Sequence, residues 1–352
     1  MAAPRSGRTP APSVWVLDAY RAGERTQIMA LAESLADDLG WDVTVKELAH
    51  NRIDFVPGLL RRASLAGIHV DRSSSLGPPW PDIVISAGMR NEPVARWIRA
   101  ESGGRTRLVW IGRPWAPLAV FDLVVTTPQY RLPARDNVLQ NVGTLHRITP
   151  ERLAAESAAW EPQLGHLPHP VVGVVAGGHS GPFTFGPAAA RKLGEIATAA
   201  AGNGSVIATT SPRTSPAACD ALAAALTGPH YLFRWSPAAA RNPYLAILGT
   251  ADRFVVTSDT VSMLTETVAT GKPVEIFDLD RGGDHRPGAR AYKALMRFGP
   301  QRATRDLTLF HKALLAHGQC RWVGTSPPPR PSAPTGDLDR AVARVAAHLP
   351  SA

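Results

Sequence analysis

The chain has 352 residues, too many for one ordinary core and suited to two domains of roughly 150 residues each. Its 44% hydrophobic content allows large cores and excludes wholesale disorder, and no run of about 18 apolar residues would make a membrane-spanning helix. Net charge is +9, and only five of 38 basic residues are Lys (Lys46, Lys192, Lys272, Lys293, Lys312), so guanidinium groups suited to phosphate and carboxylate dominate. That balance is compatible with phosphorylated substrates, nucleic acid or an anionic membrane face, but no nucleic-acid-binding motif is recognisable.

Residues 1–13 are rich in Pro and Arg without an apolar core, and read as a disordered tail rather than a secretory signal. Cys219 and Cys320 lie far apart, which excludes a disulfide framework and a cysteine zinc site and fits a reducing cytoplasm. The histidines show no HxxxH or HExxH spacing, so no metal site is expected.

A buried-strand run at residues 14–17 ends at Asp18, and a loop over 19–25 holds Gly23 and Glu24. From Thr26, apolar residues at Ile28, Leu31, Leu35 and Leu39 recur at helical spacing until Gly40. Residues 41–48 alternate like a strand, and further strands are predicted at 82–86, 108–111 and 123–126, with a helix after Ala87-Gly88. The segment 160–170 (WEPQLGHLPHP) reads as an interdomain linker. The pattern then restarts, with strands at 171–175, 205–209, 253–256 and 273–277 and helices between them, including 187–201 and 217–226. Alternation of this kind implies two α/β, Rossmann-like domains, 14–160 and 170–323, with parallel sheets facing a cleft. Residues 324–336 read as a Pro-rich linker, and 337–352 carry a terminal helix with Leu338, Val342, Val345 and Leu349 on one side.

Ligands of such folds sit beyond the carboxyl ends of the strands, where the second half is small and polar. Gly177, Gly178, His179 and Ser180 follow one strand; paired glycines let backbone N–H groups approach an anion, or they form a plain turn. Ser211, Arg213 and Thr214 follow the next, with Arg213 able to reach a phosphate and Ser215 able to cap a helix. The most informative loop is Ser258, Asp259, Thr260, Val261, Ser262 and Met263, which runs from strand into helix. Asp259 or Ser258 can cap it, and the open amides of residues 260–263 suit phosphate. Glu266, four residues after Ser262, is placed either to accept two ribose hydroxyls or to sit solvated on an exposed face. Asn242 reads as a helix cap before Pro243, whereas Tyr244 stands either near a nucleotide base or in the core.

Taken together, residues 258–277 (SDTVSMLTETVATGKPVEIF), 242–252 (NPYLAILGTAD), 209–216 (TTSPRTSP) and 176–183 (AGGHSGPF) resemble the ELM-type mitochondrial-fission family of plants and bacteria. Residues 85–95 (ISAGMRNEPVA), 121–125 and 136–149 extend the resemblance to about 14–325. The family is similar to GT-B glycosyltransferases. The resemblance therefore implies a nucleoside-diphosphate sugar as co-substrate, with no further cofactor and no metal. It assigns the ribose to Glu266, the diphosphate to residues 258–263, and supporting roles to Gly177 through Ser180, Arg213, Thr214 and Lys272. The acceptor would meet Gly23, Gln27, Ser86, Gly88 and Arg90. The family's Gly-His in the first loop is here Gly23-Glu24, and its Pro-His-Asp is Pro128-Gln129-Tyr130. Glu24 and Asp18 are the catalytic candidates that remain, with His146 behind them. Rival expectations are a nucleotide-sugar 2-epimerase and a non-enzymatic adaptor with peripheral contact to an anionic membrane.

Overall fold

In the computed structural model, short apolar runs become strands that are buried on both faces. The structure describes residues 11–53, 56, 62–284, 288–299, 305–318, 320–326 and 335–347. The chain divides into two compact units, Met1–Asn141 with Gly336–Ala352, and Val142–Thr335.

The first unit holds β1 (Ser13–Leu17), α1 (Ala22–Leu39), β2 (Asp42–Lys46), β3 (Ile83–Ala87), α2 (Glu92–Glu101), β4 (Arg107–Ile111), β5 (Leu123–Thr126) and β6 (Val138–Gln140). Its strands pair in parallel in the order β2-β1-β3-β4-β5-β6. Trp15, Leu17, Val84, Leu108, Trp110 and Val124 fill the core on one sheet face with Val94, Ala95 and Ile98 of α2. Burial on both faces explains why these runs are continuously apolar rather than alternating.

The second unit begins with α3 (Pro150–Ala159), α4 (Glu161–Leu164), β7 (Val171–Val175), α5 (Pro187–Ala201), β8 (Ser205–Thr209), α6 (Pro216–Ala225) and β9 (His230–Phe233). It continues with α7 (Tyr244–Thr250), β10 (Arg253–Thr257), α8 (Val261–Val268), β11 (Val274–Phe277), α9 (Ala289–Phe298), α10 (Leu307–Ala316) and β12 (Arg321–Trp322). The strand order is β12-β11-β10-β7-β8-β9, again parallel. Both sheets are thus doubly wound, the fold class the sequence implies.

Several boundaries differ from the sequence reading. Helix α1 begins at Ala22, so Gly23 and Glu24 lie in its first turn and not in a loop. The segment 160–170 is no free linker: it carries α4, and Leu164 and Leu167 are buried in the second unit's core. The last helix, α11 (Asp337–Ala346), belongs to the first unit, where Ala341 and Val345 are fully buried and Asn141 Nδ2 donates to Asp337 O at 3.2 Å. Residues 1–10 of the expected tail, 327–334 of the Pro-rich segment, and Leu349 lie outside the described residues.

Candidate functional site

A doubly wound sheet opens a crevice where successive connections leave in opposite directions. In the second unit that point lies between β7 and β10, because β7 leads outward to β8 and β10 leads the other way to β11. Asp259 fills it. Its side chain is 0% exposed; Oδ1 accepts from the Thr257 hydroxyl at 2.7 Å and Oδ2 from Gly178 N at 2.9 Å. The Arg213 guanidinium stands 2.8 Å from Oδ2, and Thr257 Oγ1 accepts from Gly177 N at 2.8 Å. Only glycines fit here: a Cβ on Gly177 would lie 2.3 Å from the Asp259 oxygens, and one on Gly178 would lie 2.1 Å from the Arg213 carbonyl oxygen.

This arrangement corrects the expected phosphate cradle. Gly177 and Gly178 spend their amides on Thr257 and Asp259, His179 N donates to Arg213 O at 3.4 Å, and Ser180 N donates to Phe183 O at 3.2 Å. All four donors are consumed inside the protein. Ser211 Oγ donates to Gly177 O at 2.7 Å and the Thr214 hydroxyl donates to the same oxygen, so both lock the loop instead of facing a ligand. Ser215 caps α6 by accepting from Ala218 N, as its position suggests. His179 Nδ1 accepts from Phe185 N at 3.2 Å.

The cap of α8 is Thr260, which accepts from Met263 N, and neither Ser258 nor Asp259. Ser258 is fully buried; its hydroxyl accepts from Leu279 N at 3.1 Å and its carbonyl from His311 Nε2 at 2.9 Å. Burial holds the His311 pKa down to about 4, so it makes this contact as a neutral ring. Val261, Ser262 and Met263 are half-buried, and the amides of Val261 and Ser262 precede the helix's own hydrogen-bond ladder.

Glu266 is not a solvated residue. It is 8% exposed, and its Oε2 accepts from the Tyr244 hydroxyl at 2.6 Å, while Oε1 has no hydrogen-bond partner among the described residues. Desolvation raises its pKa to about 7, against the opposing pull of the Tyr244 hydrogen bond and the Arg152 charge. Burial, then the Glu266 charge, raises Tyr244 well above its ordinary value. Asn242 Oδ1 accepts from Tyr244 N at 3.0 Å and so orients the residue that holds Glu266. Lys272 is a correction: it precedes β11, at the amino edge of the sheet, where Nζ donates to Leu248 O and Gly249 O at 3.1 and 2.6 Å. It closes the end of α7 and stands away from the carboxyl-edge loops.

The first unit has its own crevice, between β1 and β3. Arg25 Nε donates to both Asp18 carboxylate oxygens, at 2.8 and 3.0 Å, so Asp18 is an ion-pair partner. Gly88, at φ +81°, passes so close that a Cβ would lie 2.8 Å from Glu24 Oε2 and 3.2 Å from the Tyr20 ring. Arg90 and Arg21 stand over that ring, 4.6 and 5.3 Å from its centroid. Gln27 donates back along the surface of α1 to Gly23 O at 3.0 Å. Ser86 is buried and donates to Leu17 O at 3.1 Å. His146 Nδ1 accepts from Ile148 N at 3.2 Å, a local turn contact in the second unit.

The sequence reading missed Asn91 and Glu92. Asn91 is fully buried; its Nδ2 donates to Asp18 O at 2.8 Å and Ser86 Oγ at 3.0 Å, and its Oδ1 meets His50 Nε2 at 3.0 Å. Because Nδ2 is committed as donor, Oδ1 must accept, which fixes the proton on His50 Nε2. Glu92 accepts from Trp115 N and Ala116 N at 2.6 and 2.9 Å. The signal was a polar pair at a strand-to-helix junction, visible only as part of the ISAGMRNEPVA segment.

Among the described residues no group of three His, Cys, Asp or Glu could hold a metal ion, and no helix is long and apolar enough to cross a membrane. Two doubly wound parallel sheets with small, polar carboxyl-edge loops define the protein as a tandem Rossmann-like α/β protein. The chain belongs to the mitochondrial fission ELM1 family, whose model matches residues 22–349. It is 29% identical over 228 residues to mitochondrial fission protein ELM1 of Arabidopsis thaliana, a match covering 58% of this chain and about half, 52%, of that relative. Among solved structures, a UDP-GlcNAc 2-epimerase of Neisseria meningitidis bound to UDP-GlcNAc is similar at TM-score 0.47 and 11% identity, covering 95% of this chain and 91% of that one. The UDP-GlcNAc 2-epimerase of Methanocaldococcus jannaschii matches at 0.48 and 9%, covering 95% and 99%. MurG of Acinetobacter baumannii matches at 0.43 and 11%, covering 96% and 100%.

Proposed function

We propose that the protein is a metal-independent glycosyltransferase that binds a nucleoside-diphosphate sugar at the carboxyl edge of the second sheet. The observation carrying this reading is the Tyr244–Glu266 pair: a buried carboxylate on α8, with one oxygen held by a phenol and the other left to accept from a ligand hydroxyl. The first-turn amides of α8 and the exposed side of Arg213 supply positive potential nearby for the diphosphate. In the reaction an acceptor hydroxyl attacks the anomeric carbon and the bond from that carbon to the phosphate oxygen breaks. The nucleoside diphosphate leaves with the electron pair, and its charge is met by those donors. The acceptor proton is released to solvent water as the new bond forms.

The test is calorimetric titration with UDP, ADP and GDP, followed by Glu266→Ala with the fold checked by circular dichroism. Binding of one nucleotide that the variant loses supports the assignment. Binding that the variant retains removes Glu266 from the site.

A further inference from the structure

With the glycine-loop amides all spent inside the protein, an anion over that loop must be met by donors other than the loop's own backbone. Two guanidinium groups reach consecutive residues of that loop. Arg213 Nη1 donates to His179 O at 3.3 Å while it pairs with the buried Asp259. From another part of the chain, Arg305 Nη2 donates to Ser180 Oγ at 3.2 Å. Arg213 is 40% exposed and Arg305 is exposed, and among the described residues Arg305 has no carboxylate partner. Ser180 Oγ accepts from Arg305 and so keeps its own hydrogen to donate.

Arg305 is well anchored. It lies two residues before α10, whose cap Asp306 is engaged by Thr308 N at 3.1 Å and by the Thr308 hydroxyl at 2.6 Å. The same helix is fixed by the buried Phe310 and by His311, which donates to Ser258 O between β10 and α8. The cation is therefore carried on an element tied to the edge it serves.

We propose that Arg213 and Arg305 form the two arms of a pyrophosphate clamp over residues 179–180, with the Ser180 hydroxyl between them. The clamp selects ligands with two linked phosphates over those with one. It deepens the function proposed above and rests on that reading for the nucleoside part only. Planar guanidinium forks suit adjacent phosphate oxygens, whereas a lysine would offer a single point of charge.

The experiment is calorimetry at fixed ionic strength with UDP, UMP, inorganic pyrophosphate and inorganic phosphate, on the full chain and on Arg305→Ala and Arg305→Lys. The clamp predicts pyrophosphate binding at least tenfold tighter than phosphate. Arg305→Ala should lose about tenfold or more for pyrophosphate and UDP, with UMP changed less than twofold, and Arg305→Lys should recover only part of that loss. UDP binding that ignores Arg305→Ala, or equal losses for UDP and UMP, overturns the clamp while leaving the nucleotide reading intact. Arg305-dependent pyrophosphate binding without any UDP binding sinks the nucleotide reading and keeps the clamp. If the unaltered chain binds neither, both fall. Arg305 is exposed, so loss of fold is not the expected result, and matching melting temperatures check this.

Discussion

Tyr244 and Glu266, 22 residues apart in sequence, are joined by a 2.6 Å hydrogen bond that holds a carboxyl group at 8% exposure on the second turn of α8. A carboxylate in this position is costly to ionise, and its pKa of about 7 expresses that cost.

The sign of the resulting pH dependence follows from the direction of the shift. An unfolded Glu titrates near about 4.3, and the folded group near about 7. The native state therefore binds the proton more tightly, and its stabilisation is complete below about pH 4 and lost as pH rises to about 7. Denaturant melts from pH 4 to 8 should show a loss of order 3 kcal/mol that Glu266→Gln lacks. Parallel curves for the two proteins would contradict the buried-acid assignment.

Gly177→Ala and Gly178→Ala should each destabilise the second unit by about 2–4 kcal/mol, because the new methyl group meets the Asp259 carboxylate or the Arg213 backbone. Melting temperatures measure this directly. Gly271→Ala is a useful comparison: no atom lies within 4 Å of the added carbon, and its φ of +72° gives backbone strain alone.

Asn91→Ala should cost about 2–4 kcal/mol, since it leaves Asp18 O, Ser86 Oγ and His50 Nε2 without their buried partner. Asn91→Asp replaces a donating amide with an acceptor facing the Leu17 and Asp18 carbonyls, and should be no better tolerated. Thermal melts of both variants within 1 °C of the parent would contradict the network.

The central strands of both sheets were legible because burial on two faces demands continuous apolar runs, such as Val171–Val175, Val124 to Thr126 and the fully buried Ile83–Ala87. Of the edge strands, β2 was legible by its alternation, but β9 reads HYLF with an exposed first residue and β12 has two residues, so neither carries such a run. At the site, residue type and loop position found Asp259, Arg213 and Glu266 but not the direction of Asp259. Asp259 points into the protein because the Thr257 hydroxyl and the Gly178 amide donate to it beside the Arg213 guanidinium, and sequence spacing holds no record of that. Lys272 failed for a topological reason, since a residue before a parallel strand lies at the edge opposite the site. Asn91 was hidden because its four partners come from three separate segments, around residues 17–18, 50 and 86.

Nucleotide binding as proposed requires Glu266 to accept from a ribose hydroxyl through the oxygen that Tyr244 leaves open. The direct measurement compares the affinity of UDP with that of 2′-deoxy-UDP between pH 6 and 8, in the parent chain and in Glu266→Gln. The expected result is a preference for the ribose form that grows as pH rises through about 7, where the carboxyl ionises, and that no longer varies with pH in the variant. Equal affinity for the two nucleotides at every pH, or the same pH dependence in Glu266→Gln, would contradict it.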